Sequence, residues 1–152
     1  MKNLIFLLLL TIMLFSCTSD KHYEKYLSRD GGTWDISILK WQRVESTITN
    51  QNITNGEINN AGYIKFENTG TMSFVYGFDT FQRNSIAVWS VSEQKVQIVY
   101  DNVQGGANGT LLVDLNIDKN GSDKVTLQGT ETWANNIGGS FSNTFSYELQ
   151  RR

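Results

Sequence analysis

The chain has 152 residues, with 13 basic and 15 acidic side chains, a formal net charge of −2, one histidine and one cysteine. The two signs are mixed along its length with no basic block, which argues against nucleic acid as a partner. One cysteine allows no internal disulfide, and one histidine with it falls short of the usual zinc ligand sets.

The chain begins Met1-Lys2-Asn3, followed by the apolar run Leu4 to Phe15 and then Ser16. A basic start, a short apolar run and a small residue make a bacterial export signal. The run is too short for a spanning helix, which takes roughly 20 apolar residues. Leu14-Phe15-Ser16-Cys17 resembles a lipobox, where signal peptidase II cuts before the cysteine and the thiol carries a diacylglycerol. That resemblance implies a signal peptide over residues 1–16, lipidation of Cys17 with an added amide-linked chain, and a tether over residues 17–31. An ordinary signal peptide is the competing reading, but no A-x-A-like site follows. Cutting before Cys17 removes Lys2 as the only charge and leaves 136 residues at net −3, enough for one domain. Thr18, not an aspartate, follows the cysteine. The aspartate signal for inner-membrane retention is therefore missing, and the expected address is the outer membrane, on either face. Ser19-Asp20-Lys21 matches surface-export signals too loosely to choose between them.

Within the tether, Tyr23, Tyr26 and Leu27 sit at helical spacing, with Ser19 or Asp20 as a cap and Gly31 as a stop. They predict a short helix or 3₁₀ segment, against the alternative of a solvated spacer. From Gly32 onward alternation of period two takes over, and the absence of proline with 13 glycines suits strands and turns. Strand 1 opens with Trp34, Ile36 and Ile38 in phase, then slips toward Leu39 and Trp41 and back to Val44, the mark of a bulge. Strand 2 turns Ile64 and Phe66 inward, and Asn68-Thr69-Gly70 makes a tight turn. Strand 3 carries Met72, Phe74, Tyr76 and Phe78. Strand 4 covers about Ser85 to Ser92, and Glu93-Gln94 turns into strand 5 with Val96, Ile98 and Tyr100. Strand 6 alternates Leu111, Val113, Leu115 and Ile117. Asn120-Gly121 turns into strand 7 with Val125 and Leu127, and strand 8 holds Phe141, Phe145, Tyr147 and Leu149.

No helix-length amphipathic segment separates these eight strands, so neighbours pair antiparallel as a meander. Closure into an up-and-down barrel removes the unpaired edges; an open two-sheet sandwich of the same strands is the alternative. The expected fold is all-β, an eight-stranded antiparallel barrel over residues 32–152.

Gly32-Thr33-Trp34, preceded by a possible 3₁₀ turn, resembles the opening of a lipocalin. That family begins its first strand with G-x-W and returns an arginine from the barrel's end across the tryptophan. The parity of strand 8 continues to Arg151. The resemblance therefore implies a barrel closure built from Gly32, Trp34 and Arg151, with a cation–π contact worth about 0.5–2 kcal/mol. A T-D-Y-like middle motif, a disulfide and a helix after the barrel are all missing. The chain looks closer to the small lipocalin-like domains of Bacteroidetes-type lipoproteins, and the likeness names no ligand.

A meander sends alternate connections to opposite ends. Asn68–Gly70, Glu93–Gln94 and Asp118–Asp123 fall at the end holding Trp34; Asn50–Asn60, Thr80–Asn84, Asn102–Asn108 and Thr132–Ser140 read as longer loops at the other. Phe81, Tyr100 and Trp133 fall at or near that mouth, as a lid or as ligand contacts. Phe66, Phe74, Tyr76, Phe78, Phe145 and Tyr147 either fill the barrel or line a cavity for a small apolar or amphipathic molecule, oriented by the two tyrosine hydroxyls. Catalysis has little support: His22 lies in the tether, and Glu67, Asp114 and Glu148 point outward by parity. Asp118 to Asp123 is a poor calcium loop, since Gly129 stands where a bidentate glutamate is needed. A binding lipoprotein with no cofactor or metal leads. A filled barrel that binds another envelope protein through its open-end loops is second, and an enzyme using Asp101 and Glu131 a distant third.

Overall fold

The computed structural model describes residues 19–47, 49–78, 81–102, 109–134 and 139–152, with side chains described except at 78, 81–83, 100–102, 109–111 and 133–134. The signal segment 1–16 and Cys17 lie outside the described residues. Helix α1 (residues 19–28) runs into a 3₁₀ turn, Arg29–Gly31, and eight strands follow. They are β1 (Thr33–Ser46), β2 (Gln51–Phe66), β3 (Thr71–Phe78), β4 (Phe81–Ser92), β5 (Lys95–Asn102), β6 (Gly109–Lys119), β7 (Lys124–Ala134) and β8 (Ser140–Arg151). Each pairs antiparallel with its sequence neighbour, and β8 pairs with β1 to close the barrel. The expected architecture stands, and the open sandwich falls away.

The slip in strand 1 is a bulge. Ile36 faces Leu149 and Ile38 faces Glu148, so Ser37 is the extra residue, and its hydroxyl donates to the Glu148 carbonyl at 2.8 Å. Inserting one residue exchanges the two faces. Trp34 and Ile36 are buried before the bulge, and Leu39, Trp41 and Arg43 after it. The phase does not return to Val44, which is half-buried: alternation simply runs on to a charged residue.

The largest departure concerns β2. The stretch expected as an Asn50–Asn60 loop is strand from Gln51 onward, pairing with β1 from Ser46↔Gln51 to Ile38↔Asn59. Its contact with β3 is confined to Gly62–Phe66 among the described residues. The first part of β2 therefore rests on one neighbour and is mostly exposed, so it carries no alternation to read. Strand β4 likewise begins at Phe81, which leaves only Thr80 of the expected Thr80–Asn84 loop between strands, and β7 runs to Ala134, taking the start of the expected Thr132–Ser140 loop. The connections at residues 103–108 and 135–138 lie outside the described residues.

Helix α1 plugs one end of the barrel. Tyr26 and Leu27 are buried on the core, and the Tyr26 hydroxyl donates to the Lys124 carbonyl at 2.9 Å, beside the β6–β7 turn. Asp20, expected as a helix cap, instead accepts from the backbone N–H groups of Glu93 and Gln94 at 3.3 and 3.2 Å. One turn along, Glu24 accepts from Val91 N–H at 3.3 Å. Spacing of i and i+4 places both carboxylates on one helix face, and that face straps α1 to the β4–β5 hairpin. The segment is a packed cover, not a solvated spacer.

Candidate ligand site

The closed end is built around Gly32, Trp34 and Arg151. Gly32 adopts φ 66°, and a Cβ there would stand 1.8 Å from the Phe66 carbonyl oxygen, so only glycine lets the chain turn from the 3₁₀ segment into β1. Trp34 is fully buried and donates through Nε1 to the Leu27 carbonyl at 2.8 Å. It lies opposite Arg151 in the β1–β8 ladder, and the guanidinium sits 4.0 Å from the indole centroid. That guanidinium also donates to the carbonyls of Tyr26 at 2.7 Å and Arg29 at 3.0 Å. Arg151 thus clamps helix, first strand and last strand together. Burial, with Arg29 nearby, lowers its pKa; burial raises that of the Tyr26 phenol, against the opposing pull of Arg151.

Above this end the inner face is apolar in successive rows across β1, β8 and β7. Ile36, Leu149 and Val125 form one, Leu39, Tyr147 and Leu127 the next, and Trp41, Phe145 and Gly129 the third. The fourth is different. Arg43 faces Asn143, which faces Glu131, and their exposures are 6%, 1% and 2%. Arg43 Nε donates to Asn143 Oδ1 at 3.2 Å, and Asn143 Nδ2 donates to Glu131 Oε1 at 3.1 Å. The amide therefore relays between a buried guanidinium and a buried carboxylate. Desolvating both charges costs several kcal/mol per ion before hydrogen bonds offset it.

Beneath this row lies a cavity of about 30 Å³, bounded by Ile64, Phe74, Tyr76, Glu131, Phe145 and Tyr147 among others. It is roomy enough for water but far below the 300 Å³ or more of a typical ligand pocket. The Tyr76 and Tyr147 hydroxyls are hydrogen-bonded at 2.8 Å, their rings edge-to-face at 5.5 Å. The interior is thus largely filled, with polar groups gathered on one small void.

Of the residues expected to contact ligand, Phe74, Tyr76 and Tyr147 line this cavity. Phe66 does not: it packs against Trp89 at 5.0 Å near the closed end, where its N–H donates to the Gly32 carbonyl. Phe78 and Phe81 face each other across the β3–β4 hairpin, Tyr100 faces Leu111, and Trp133 faces Phe141; the side chains of Phe78, Phe81, Tyr100 and Trp133 lie outside the described ones. His22 is exposed on α1. Glu67 and Glu148 make outer-wall ion pairs with Lys65 and Lys40, and Asp114 accepts from Gln97. Asp123 pairs with Arg29 at 3.2 Å. No cluster of three or more potential metal ligands occurs among the described residues.

Glu131, expected only as a carboxylate for the enzyme reading, stands on β7 in this row, and Arg43 and Asn143 were missed altogether. Strand parity was the available signal: Leu39 and Trp41 lead to Arg43, Val125 and Leu127 to Glu131, and Phe145 back to Asn143. Comparison with protein-family models, curated proteins and solved structures found no match to this chain.

Proposed function

We propose that the protein is a lipid-anchored envelope lipoprotein, held in the outer membrane through Cys17, whose lipocalin-like barrel binds a small amphipathic molecule. Its short apolar end would enter the space between Phe74 and Tyr147. Its polar end would meet the Tyr76–Tyr147 hydroxyl pair and the Arg43–Asn143–Glu131 row. The observation that carries this reading is that Tyr76, Tyr147 and Glu131 meet on one void in an otherwise apolar lining, with Asn143 bonded to Glu131 behind it. Binding sites place a few polar groups in apolar walls in this way, and a chain gains no stability from burying charges for their own sake. The cavity's size argues against a whole acyl chain, so only a small end of the molecule would enter it. The lipocalin likeness is supported by the 3₁₀ turn, Gly32-Thr33-Trp34 and the arginine stacked on the indole.

Native mass spectrometry of the purified protein, with organic extraction of anything bound, tests this. The expected result is a small-molecule adduct that Glu131→Leu and Tyr147→Phe each reduce at least tenfold, while Thr144→Ala on the outer wall leaves it intact. A folded protein that carries no adduct, and whose melting temperature no small amine, alcohol or acid shifts, refutes the proposal.

A further inference from the structure

The outer wall of the barrel is chemically two-sided. On β7 and β8 it is a polar ladder: Thr130 bonds Thr144, Gln128 bonds Ser146 and Thr132 bonds Ser142. On β4, β5 and β6, the part of the wall that adjoins this ladder at β6–β7, Val88, Val99 and Leu112 stand side by side in register, with Ile86 next along β4. Their exposures are 62%, 38%, 58% and 73%. Isolated surface apolar residues need no explanation, but a contiguous row marks a contact surface.

The tether lies on that same side. Asp20 is bound to the Glu93–Gln94 turn joining β4 to β5, and Glu24 to Val91. Cys17 precedes Asp20 by three positions, a reach of at most about 11 Å. From Glu93 back to Val88 along β4 is about 17 Å. An acyl group on Cys17 would hold the bilayer within that range of the apolar row.

We propose that the Ile86–Val88–Val99–Leu112 face docks on the lipid surface, so that the barrel lies on its β4–β6 wall with its β7–β8 wall toward water. This rests on the reading of Cys17 as lipidated. Ser90, Gln97 and Asp114 form the next row toward the turn, so the contact is shallow, at headgroup depth. The same orientation turns the barrel axis along the membrane.

The test uses the full-length lipidated chain in phosphatidylethanolamine–phosphatidylglycerol vesicles. Mass spectrometry first weighs the N-terminal peptide for the acyl group. Because an acylated Cys17 does not react with thiol probes, single fluorophores can be placed by Val88→Cys, Leu112→Cys and, on the polar wall, Thr144→Cys. Spin-labelled lipids are expected to quench the first two at least threefold more than the third. Equal quenching on an acylated chain overturns the docking alone. A chain without acyl mass overturns the anchor and this orientation with it. Disulfide-linked dimers through position 88 or 112, formed in place of quenching, assign the face to a second copy and also overturn it.

Discussion

Replacing Arg151 by methionine removes the charge but keeps much of the aliphatic packing. Two hydrogen bonds from a charged donor are lost, to Tyr26 and Arg29, each worth about 1.5–3 kcal/mol. The stack on Trp34 at 4.0 Å adds about 0.5–2 kcal/mol. The contact with Asp123 at 3.6 Å adds little, because that carboxylate is half-exposed. Against these stands the relief of desolvating a guanidinium whose side chain is only 7% exposed. The balance is a net loss of about 2–4 kcal/mol, or a fall in melting temperature on the order of 10 °C. Lysine at the same position keeps the charge but not the planar fork, and should recover less than half of the loss. Urea denaturation followed by tryptophan fluorescence measures both variants. A loss below about 0.5 kcal/mol for Arg151→Met, or a lysine variant equal to wild type, would refute the clamp.

Gly32→Ala should cost more than about 2 kcal/mol, since it adds left-handed strain to a Cβ that meets the Phe66 carbonyl; a smaller loss in urea would mean that β1 can enter the barrel by another path. Glu93 and Gln94 both hold positive φ, 52° and 61°, where a two-residue hairpin prefers Asn-Gly. The double change to Asn-Gly should raise stability by up to about 1 kcal/mol, and an unchanged melting temperature would show that Asp20 already absorbs the strain. Because burial raises the Tyr26 pKa, the folded chain keeps the phenol proton after the unfolded chain has lost it. The resulting stability is full below about pH 10 and fades as pH climbs through the higher folded value. Tyr26→Phe should therefore move the alkaline unfolding midpoint upward, and tyrosinate absorbance should lose one late-ionising tyrosine in the variant. A midpoint that stays put excludes Tyr26 as the trigger.

Strands with two neighbours and one buried face were legible, because alternation is the direct imprint of that geometry. Met72, Phe74 and Tyr76 on β3, or Val113 and Leu115 on β6, could be read straight from the chain. The first part of β2 could not be read: among the described residues Gln51 to Asn59 pairs with β1 alone and buries little, so burial leaves no pattern in Gln-Asn-Ile-Thr-Asn-Gly. The site failed to declare itself for the opposite reason. Arg43, Glu131 and Asn143 occupy inner positions with polar side chains, and a reading that assigns faces by hydrophobicity stops where apolar residues end. Asp20 was missed because a carboxylate at a helix start looks the same whether it caps its own helix or holds a turn 73 residues away.

The barrel separates the residues that hold it together from those that contact ligand in the proposed function. Trp34, Arg151 and Tyr26 close one end, and three apolar rows stand between them and Arg43, Asn143 and Glu131. If that upper row serves binding, the fold does not depend on its being polar. Removing Glu131 takes the hydrogen-bond acceptor from the buried Asn143 amide and a charge from the row, so Glu131→Leu should cost about 1–3 kcal/mol. Replacing all three by apolar residues of similar volume, Arg43→Met, Asn143→Leu and Glu131→Met, removes the charges together. That triple variant should lie within about 1 kcal/mol of wild type or above it, while losing the bound molecule. Chemical denaturation and native mass spectrometry on the same preparations separate the two effects. A triple variant less stable than Glu131→Leu alone would make the row a structural brace and remove the reason for reading it as a site.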